Sequence, residues 1–170
     1  MMARDRRHAK GWIVHRGVLT RGSVEKDRRT TALHEAAHAV VAHRLGEKVT
    51  RLWINQRGRE GRCRTHGFTE IVYLRRGRKL NPFSRMIVCL AGHEAEHMVY
   101  GRPHSLLPRG DLRDIYALGM TTDQSLNLAG WLTRRYVRWH LPAMRRVAKE
   151  LGARGKLDRR GFLRALRASA

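Results

Sequence analysis

Two short stretches carry the residue types from which a hydrolytic metal centre is built. TALHEAAHAV, residues 31–40, and LAGHEAEHMV, residues 90–99, each contain His-Glu-x-x-His. On a helix, side chains four apart lie one above the other on the same face, so both imidazoles of either pentad can reach one ion. Neutral imidazoles suit Zn2+, which in a hydrolytic site keeps one position for a water and lowers its pKa to about 7. The Glu beside the first His is then the general base, and the chemistry is amide hydrolysis. A chain of this size rarely needs two such sites.

The residues inside each pentad separate the two. A zinc helix is buried along its metal face, and its interior positions are normally uncharged. In the first pentad they are Ala36 and Ala37, followed by Ala39, Val40 and Val41, so neighbours can pack closely. In the second they are Ala95 and Glu96, which puts an extra carboxylate inside the motif. The reading is therefore His34 and His38 as ligands and Glu35 as base, with a third protein ligand from elsewhere. His93, Glu94 and His97 read as polar packing or supporting groups. A competing structural zinc site pairs Cys63-x-x-His66 with Cys89-x-x-x-His93, since Cys89 and His93 are helical neighbours four apart.

These residues need elements to hold them. TTALHEAAHAVVAHRLG reads as a helix capped by Thr30 or Thr31 and ended by Gly46. VTRLWIN alternates weakly and GFTEIVYL is rich in β-branched and aromatic residues, so both read as short strands joined by the loop QRGREGRCRTH. FSRMIVCLAGHEAEHMVYG has the length and apolar content of a buried helix stopped by Gly101 and Pro103. GDLRDIYALGM and DQSLNLAGWLTRRYVRWHL form one interrupted or two adjacent helices, Pro142 opens another, and Asp158 caps a last short one. The fold class expected is mainly α with a small β-sheet (α+β), with a helical C-terminal half. Residues 1–28 read as a basic arm or short helix, and 29–170 as the catalytic domain.

Composition bounds the setting. The 170 residues suit one compact domain. Two cysteines without a C-x-x-C pair argue against a disulfide framework. No signal-like apolar segment opens the chain, and MIVCLAG falls far short of a membrane span, so a soluble cytoplasmic protein without membrane insertion is expected. Lys and Arg number 36 against 14 Asp and Glu, a net charge of +22. Such a chain attracts polyanions over long range, which makes nucleic acid a partner to consider, though the cations are spread along the whole chain.

From about residue 30 onward the chain resembles the protease domain of FtsH-type membrane-anchored AAA+ zinc proteases. HEAAHAVVAHRLG is similar to that family's His-Glu-Ala-Gly-His-Ala helix, with Ala37 at the usual glycine. KVTRLWINQRGREGRCRTHGFTE resembles its strand, Arg-Gly turn and Gly-rich second strand. LAGHEAEHMVYG resembles its Leu-Gly-Gly-Arg-x-Ala-Glu-Glu-x-x-x-Gly helix, with His93 at the arginine and His97 at the second glutamate. PRGDLRDIYAL is similar to the segment whose Asp supplies the third zinc ligand. The resemblance implies Zn2+ on His34, His38 and Asp111, with Glu35 as base and the second pentad off the metal. By residue type Asp111 is equally a helix cap or first-turn residue. Glu96 competes for the third ligand position, because some zincins take a Glu from a downstream helix; otherwise it orients a ligand histidine.

No Walker A pattern occurs in the sequence, and the family's transmembrane helix is not seen. The expectation is a zinc metalloendopeptidase acting on unfolded or flexible polypeptides without its own ATPase, served by a separate ATPase or adaptor. The alternative is a non-catalytic, zinc-stabilised binding protein whose basic surface meets nucleic acid or a protein partner.

Overall fold

A computed structural model describes residues 21–57, 64–72, 74–75, 78–79, 81–101, 109–119 and 122–168. Among these the chain is mainly α with a small sheet, as the sequence pattern predicts. The first helix, α1 (Arg21–Arg44), is the axle of the molecule. Ala32, Leu33, Ala36, Ala37, Ala39, Val40, Val41 and Ala42 are all buried, which covers every side of it. Its alanines permit that, because small side chains let neighbouring elements approach closely on several faces at once. Thr30 and Thr31 do not cap it. The helix starts nine residues earlier, at Arg21, and runs unbroken across the boundary expected at residue 28. Its end follows the expectation: Gly46 takes φ 91°, its N–H meets the His43 carbonyl at 3.0 Å, and Glu47 N–H reaches the Ala42 carbonyl at 2.9 Å. That is the paired closure of a left-handed C-terminal cap.

Strand β1 (Lys48–Arg57) follows, antiparallel to β2 (Arg64–Val72) from Lys48↔Val72 to Arg57↔Arg64. Both strands run further into the expected loop than the alternation suggests. The weak alternation of VTRLWIN also has a physical cause: the register shifts between Val49 and Arg51. The extra residue lets Val49 and Leu52, three apart, both face the core. Two-residue strands β3 (Leu74–Arg75) and β4 (Arg78–Lys79) pair as a small separate hairpin.

Helix α2 (Pro82–Tyr100) begins as its residues dictate. Asn81 accepts a hydrogen bond from Phe83 N–H at 2.8 Å, Pro82 occupies the first turn where its missing N–H costs nothing, and Gly101 at φ 79° ends it. The next helix, α3 (Arg109–Ala117), is short. It is followed by α4 (Asp123–Arg154), whose N-cap Thr122 accepts from Ser125 N–H at 3.3 Å. Pro142 does not start a new helix; it lies inside α4. A proline there removes one backbone bond, to the carbonyl four residues back, and crowds that carbonyl. Pro142 and Arg138 are both exposed, so water can serve the freed group, while Val137, Ala143, Met144 and Val147 on the other face are buried against α1 and α2.

The chain closes with β5 (Lys156–Asp158) and α5 (Arg159–Arg167). Asp158 caps α5 through Gly161 N–H at 2.7 Å, as its position suggests. The strand before it was not expected; it pairs antiparallel with β1 through Arg51↔Asp158, Leu52↔Leu157 and Trp53↔Lys156. The sheet order is therefore β2-β1-β5, with β2 at one edge. No helix among the described residues is long and apolar enough to cross a membrane.

Replacing Pro142 by Ala restores the missing bond and relieves the crowding, against a loss of unfolded-state restriction worth under 1 kcal/mol. Urea unfolding of Pro142→Ala should show a gain of about 1–2 kcal/mol, and unchanged or lower stability would mean that the proline fits α4 without strain.

Candidate metal centre

His34 and His38 project from the middle of α1, one turn apart, and both are buried. Their rings meet edge to face with centroids 4.6 Å apart. Asp111 enters from α3, where it is the third residue and not the cap. Its place in the first turn favours a negative charge through the helix dipole. The three contacting atoms form a compact triangle. His34 Nε2 and His38 Nε2 are 2.9 Å apart, His34 Nε2 lies 3.1 Å from Asp111 Oδ2, and His38 Nε2 lies 3.5 Å from that oxygen. Ligand atoms about 2.0–2.1 Å from a tetrahedral zinc stand roughly 3.3 Å from one another. The donor set of two imidazoles and a carboxylate fits that ion in kind and in spacing, and these are the three residues, among those described, whose ligand atoms converge as a metal group.

Helix α2 supports the triangle with one stripe, Val88, Gly92 and Glu96, spaced four apart. His38 Nδ1 donates to the Val88 carbonyl at 2.7 Å, which directs its Nε2 lone pair toward the triangle. His34 Nδ1 donates to Glu96 Oε1 at 2.8 Å. Glu96 therefore bonds the far side of a histidine and is not one of the three converging groups. Between them sits Gly92: a Cβ there would stand 2.5 Å from His34 Cε1 and Nε2. The His34 ring lies directly against the α2 backbone, and only glycine leaves the room.

Glu35 is buried beside the triangle. Thr69 on β2 presents its hydroxyl to Glu35 Oε2 at 2.7 Å and to the Glu35 carbonyl at 3.0 Å, so the edge strand holds this carboxylate. The sequence pattern places Thr69 on a strand that could hold substrate but does not link it to Glu35, and it does not single out Gly92. Neither has a signal in the motif, because both act across elements far apart in the chain.

The second pentad has a different environment. Glu94 pairs with Arg134 of α4 at 3.3 Å, His93 is half-buried and His97 is exposed. They are not brought together as a metal group. Cys63 and the side chain of His66, expected in the competing site, lie outside the described residues. Cys89 is buried, and burial pushes its thiol up to about 12, which disfavours the thiolate that zinc needs.

Electrostatics inside the triangle follow from its mixture of charges. Burial pulls the His34 pKa down, but the Asp111 and Glu96 carboxylates bonded to it override that and raise it to about 10. His38 moves up as well, burial opposing and Asp111 lifting. Burial works against ionisation of Asp111, yet the two imidazoles hold its carboxyl well below the usual range. Without a metal the cluster thus holds a proton near neutral pH. Comparison with protein-family models gives no match, and no curated protein matches the chain.

Two outcomes follow. Zinc requires neutral imidazoles, and His34 titrates near 10, so binding at pH 7 should expel at least one proton and tighten as pH rises toward that value. Calorimetry in buffers of different ionisation enthalpy reads the proton count directly, and none released would contradict this electrostatic account. Gly92→Ala should stay folded by circular dichroism, yet bind zinc about tenfold or more weaker, because the added methyl displaces the His34 ring. Unaltered affinity would show that the ring has slack.

Proposed function

We propose that this protein is a zinc-dependent peptidase that hydrolyses peptide bonds in unfolded or flexible polypeptides. His34, His38 and Asp111 would hold the ion, and Glu35 is the general base. The observation that carries this reading is the convergence of two imidazole nitrogens and a carboxylate oxygen at zinc-like spacing, next to a buried glutamate fixed by a hydroxyl. A purely structural metal site has no use for that glutamate. The resemblance of residues 30–170 to the FtsH-type protease domain supports the same assignment.

A zinc ion bound there supplies Lewis acidity, lowering the pKa of a water and polarising the scissile carbonyl. Glu35 accepts the proton of the attacking water as its oxygen bonds to the carbonyl carbon. It then gives that proton to the departing amine nitrogen as the C–N bond breaks. Thr69 keeps the carboxylate from rotating away, because its O–H donates to Oε2. Glu96 and the Val88 carbonyl hold the two imidazoles in fixed orientation. Strand β2 carries Thr69 and pairs on one side with β1, so its other edge can take an extended peptide as an added strand. Backbone pairing of that kind gives affinity with little sequence preference, which suits flexible substrates. The 170 residues contain no Walker A pattern, and the proposed substrates need no ATP-driven unfolding or are delivered by a separate ATPase or adaptor.

The net charge of +22 favours a second reading, a non-catalytic binding protein stabilised by zinc. One variant separates the two. Glu35→Gln should keep one zinc per chain by elemental analysis while casein hydrolysis falls by roughly a hundredfold to ten-thousandfold. Hydrolysis at the wild-type rate in that variant would remove Glu35 as base, and a zinc-loaded wild type without hydrolysis would favour the binding protein.

A further inference from the structure

The outward face of α4 carries a stack of flat and cationic groups that the metal centre does not use. Trp131, Arg135 and Trp139 are four apart, so they follow one stripe of the helix. The Arg135 guanidinium lies over both indoles, 4.9 Å from the Trp131 ring centroid and 4.8 Å from that of Trp139. The two rings are 52% and 63% exposed, large values for the most apolar-bodied side chains on the helix. Arg138, Arg145 and Lys149 continue the stripe and are exposed. From Gln124 to Lys149 the helix carries six Arg and Lys and no Asp or Glu. Of these, Arg134 is engaged by Glu94 and Arg146 by the Leu166 carbonyl.

Chemistry narrows the occupant. A second copy of a chain with net charge +22 is repelled by the first. A helix lying on an anionic bilayer keeps its cations on one face and inserts a continuous apolar face of Trp, Phe or Leu on the other. Here the indoles share one stripe with Arg135, and the opposite apolar face, Ala129, Val137, Met144, Val147 and Leu151, is buried in the core. Outward, Leu128 is the one large aliphatic side chain exposed on the helix. An acidic peptide would satisfy the cations but leave the open indole faces without a counterpart. A polyanion that brings planar rings satisfies both. In a duplex those rings are stacked on one another, whereas in a single strand they are free.

We propose that single-stranded nucleic acid docks along this stripe. Bases stack on the outer faces of Trp131 and Trp139, and Arg135, Arg138, Arg145 and Lys149 receive the phosphates. At 1.5 Å per residue the Trp131 and Trp139 backbones are about 12 Å apart along the axis, the two rings being drawn closer by the Arg135 guanidinium that lies over both, and Leu128 to Lys149 spans about 30 Å, room for a short oligonucleotide. Arg135 has its plane covered by indole, so its N–H edge is held ready for an oxyanion. The site is independent of the peptidase reading, since none of its residues belongs to the metal centre.

The test measures anisotropy of labelled dT15 and rU15 with the full-length, zinc-loaded protein, alongside sedimentation with phosphatidylglycerol vesicles. Trp131→Ala and Trp139→Ala should each weaken oligonucleotide binding about fivefold or more without altering its salt dependence, since the lost contact is not ionic. The pair Arg138→Gln with Arg145→Gln should flatten the slope of log affinity against log salt by about 0.7 per cation removed. Circular dichroism and zinc content, unchanged at these exposed positions, exclude misfolding as the cause. Tryptophan variants that bind both oligonucleotides like the wild type would overturn the proposal, leaving charge alone as the attraction. So would indole dependence seen with vesicles and not with oligonucleotides.

Discussion

Ionisable side chains buried at the centre of an apolar interior are the constraint on which the rest of this structure depends. His34, Glu35, His38 and Glu96 sit among alanines and valines, where an unpartnered polar group costs several kcal/mol. Each must therefore find a partner, and most of the partners come from other elements. Asp111 comes from α3, Glu96 and the Val88 carbonyl from α2, and the Thr69 hydroxyl from β2. The polar cluster thereby ties the first helix to three neighbours at fixed register, a role that dispersion contacts between alanines cannot perform.

Close approach is the condition for all of this. Side chains as short as His and Asp meet only if the backbones that carry them are near, and the small residues of α1 and Gly92 of α2 provide that nearness. Gly92 shows how tightly this is drawn, with the His34 ring resting where its side chain would be. The stripe Val88, Gly92 and Glu96 is thus a single device: a carbonyl for one histidine, a hollow for the other, and a carboxylate behind it. The Nε2 atoms of His34 and His38 and the Asp111 carboxylate lie close enough to interact with one another, and the same atoms lie at the spacing an ion would need.

Charge is divided between inside and outside. The buried centre gathers carboxylates and imidazoles, while the Lys and Arg among the described residues lie elsewhere, with α4 showing one organised part of them. On that helix the apolar side faces α1 and α2 and the outer side is left with indoles and guanidinium groups stacked on each other. One element therefore braces the core and presents a surface of separate chemistry. The β2 edge is a third feature, placed beside Glu35 because Thr69 is on that strand.

Local chemistry made much of this legible before any coordinates. The i, i+4 spacing of His34 and His38, the Gly101 stop of α2, the Gly46 turn and the Asp158 cap are consequences of neighbours in sequence. So is the preference for the first pentad, whose interior is Ala36–Ala37 where the second has Glu96. What local pattern could not decide were relations between distant residues. Whether Asp111 or Glu96 faces the histidine Nε2 atoms depends on how α2 and α3 dock, since both carboxylates reach His34 from opposite sides of its ring. Pro142 continues a helix because burial on both sides of it outweighs one lost hydrogen bond, and β5 exists because β1 offers it a partner more than a hundred residues away in sequence. Thr69 and Gly92 gain their meaning only against α1. Sequence carries the periodicities and caps, which are short-range; packing alone brings together groups whose separation along the chain hides them from each other.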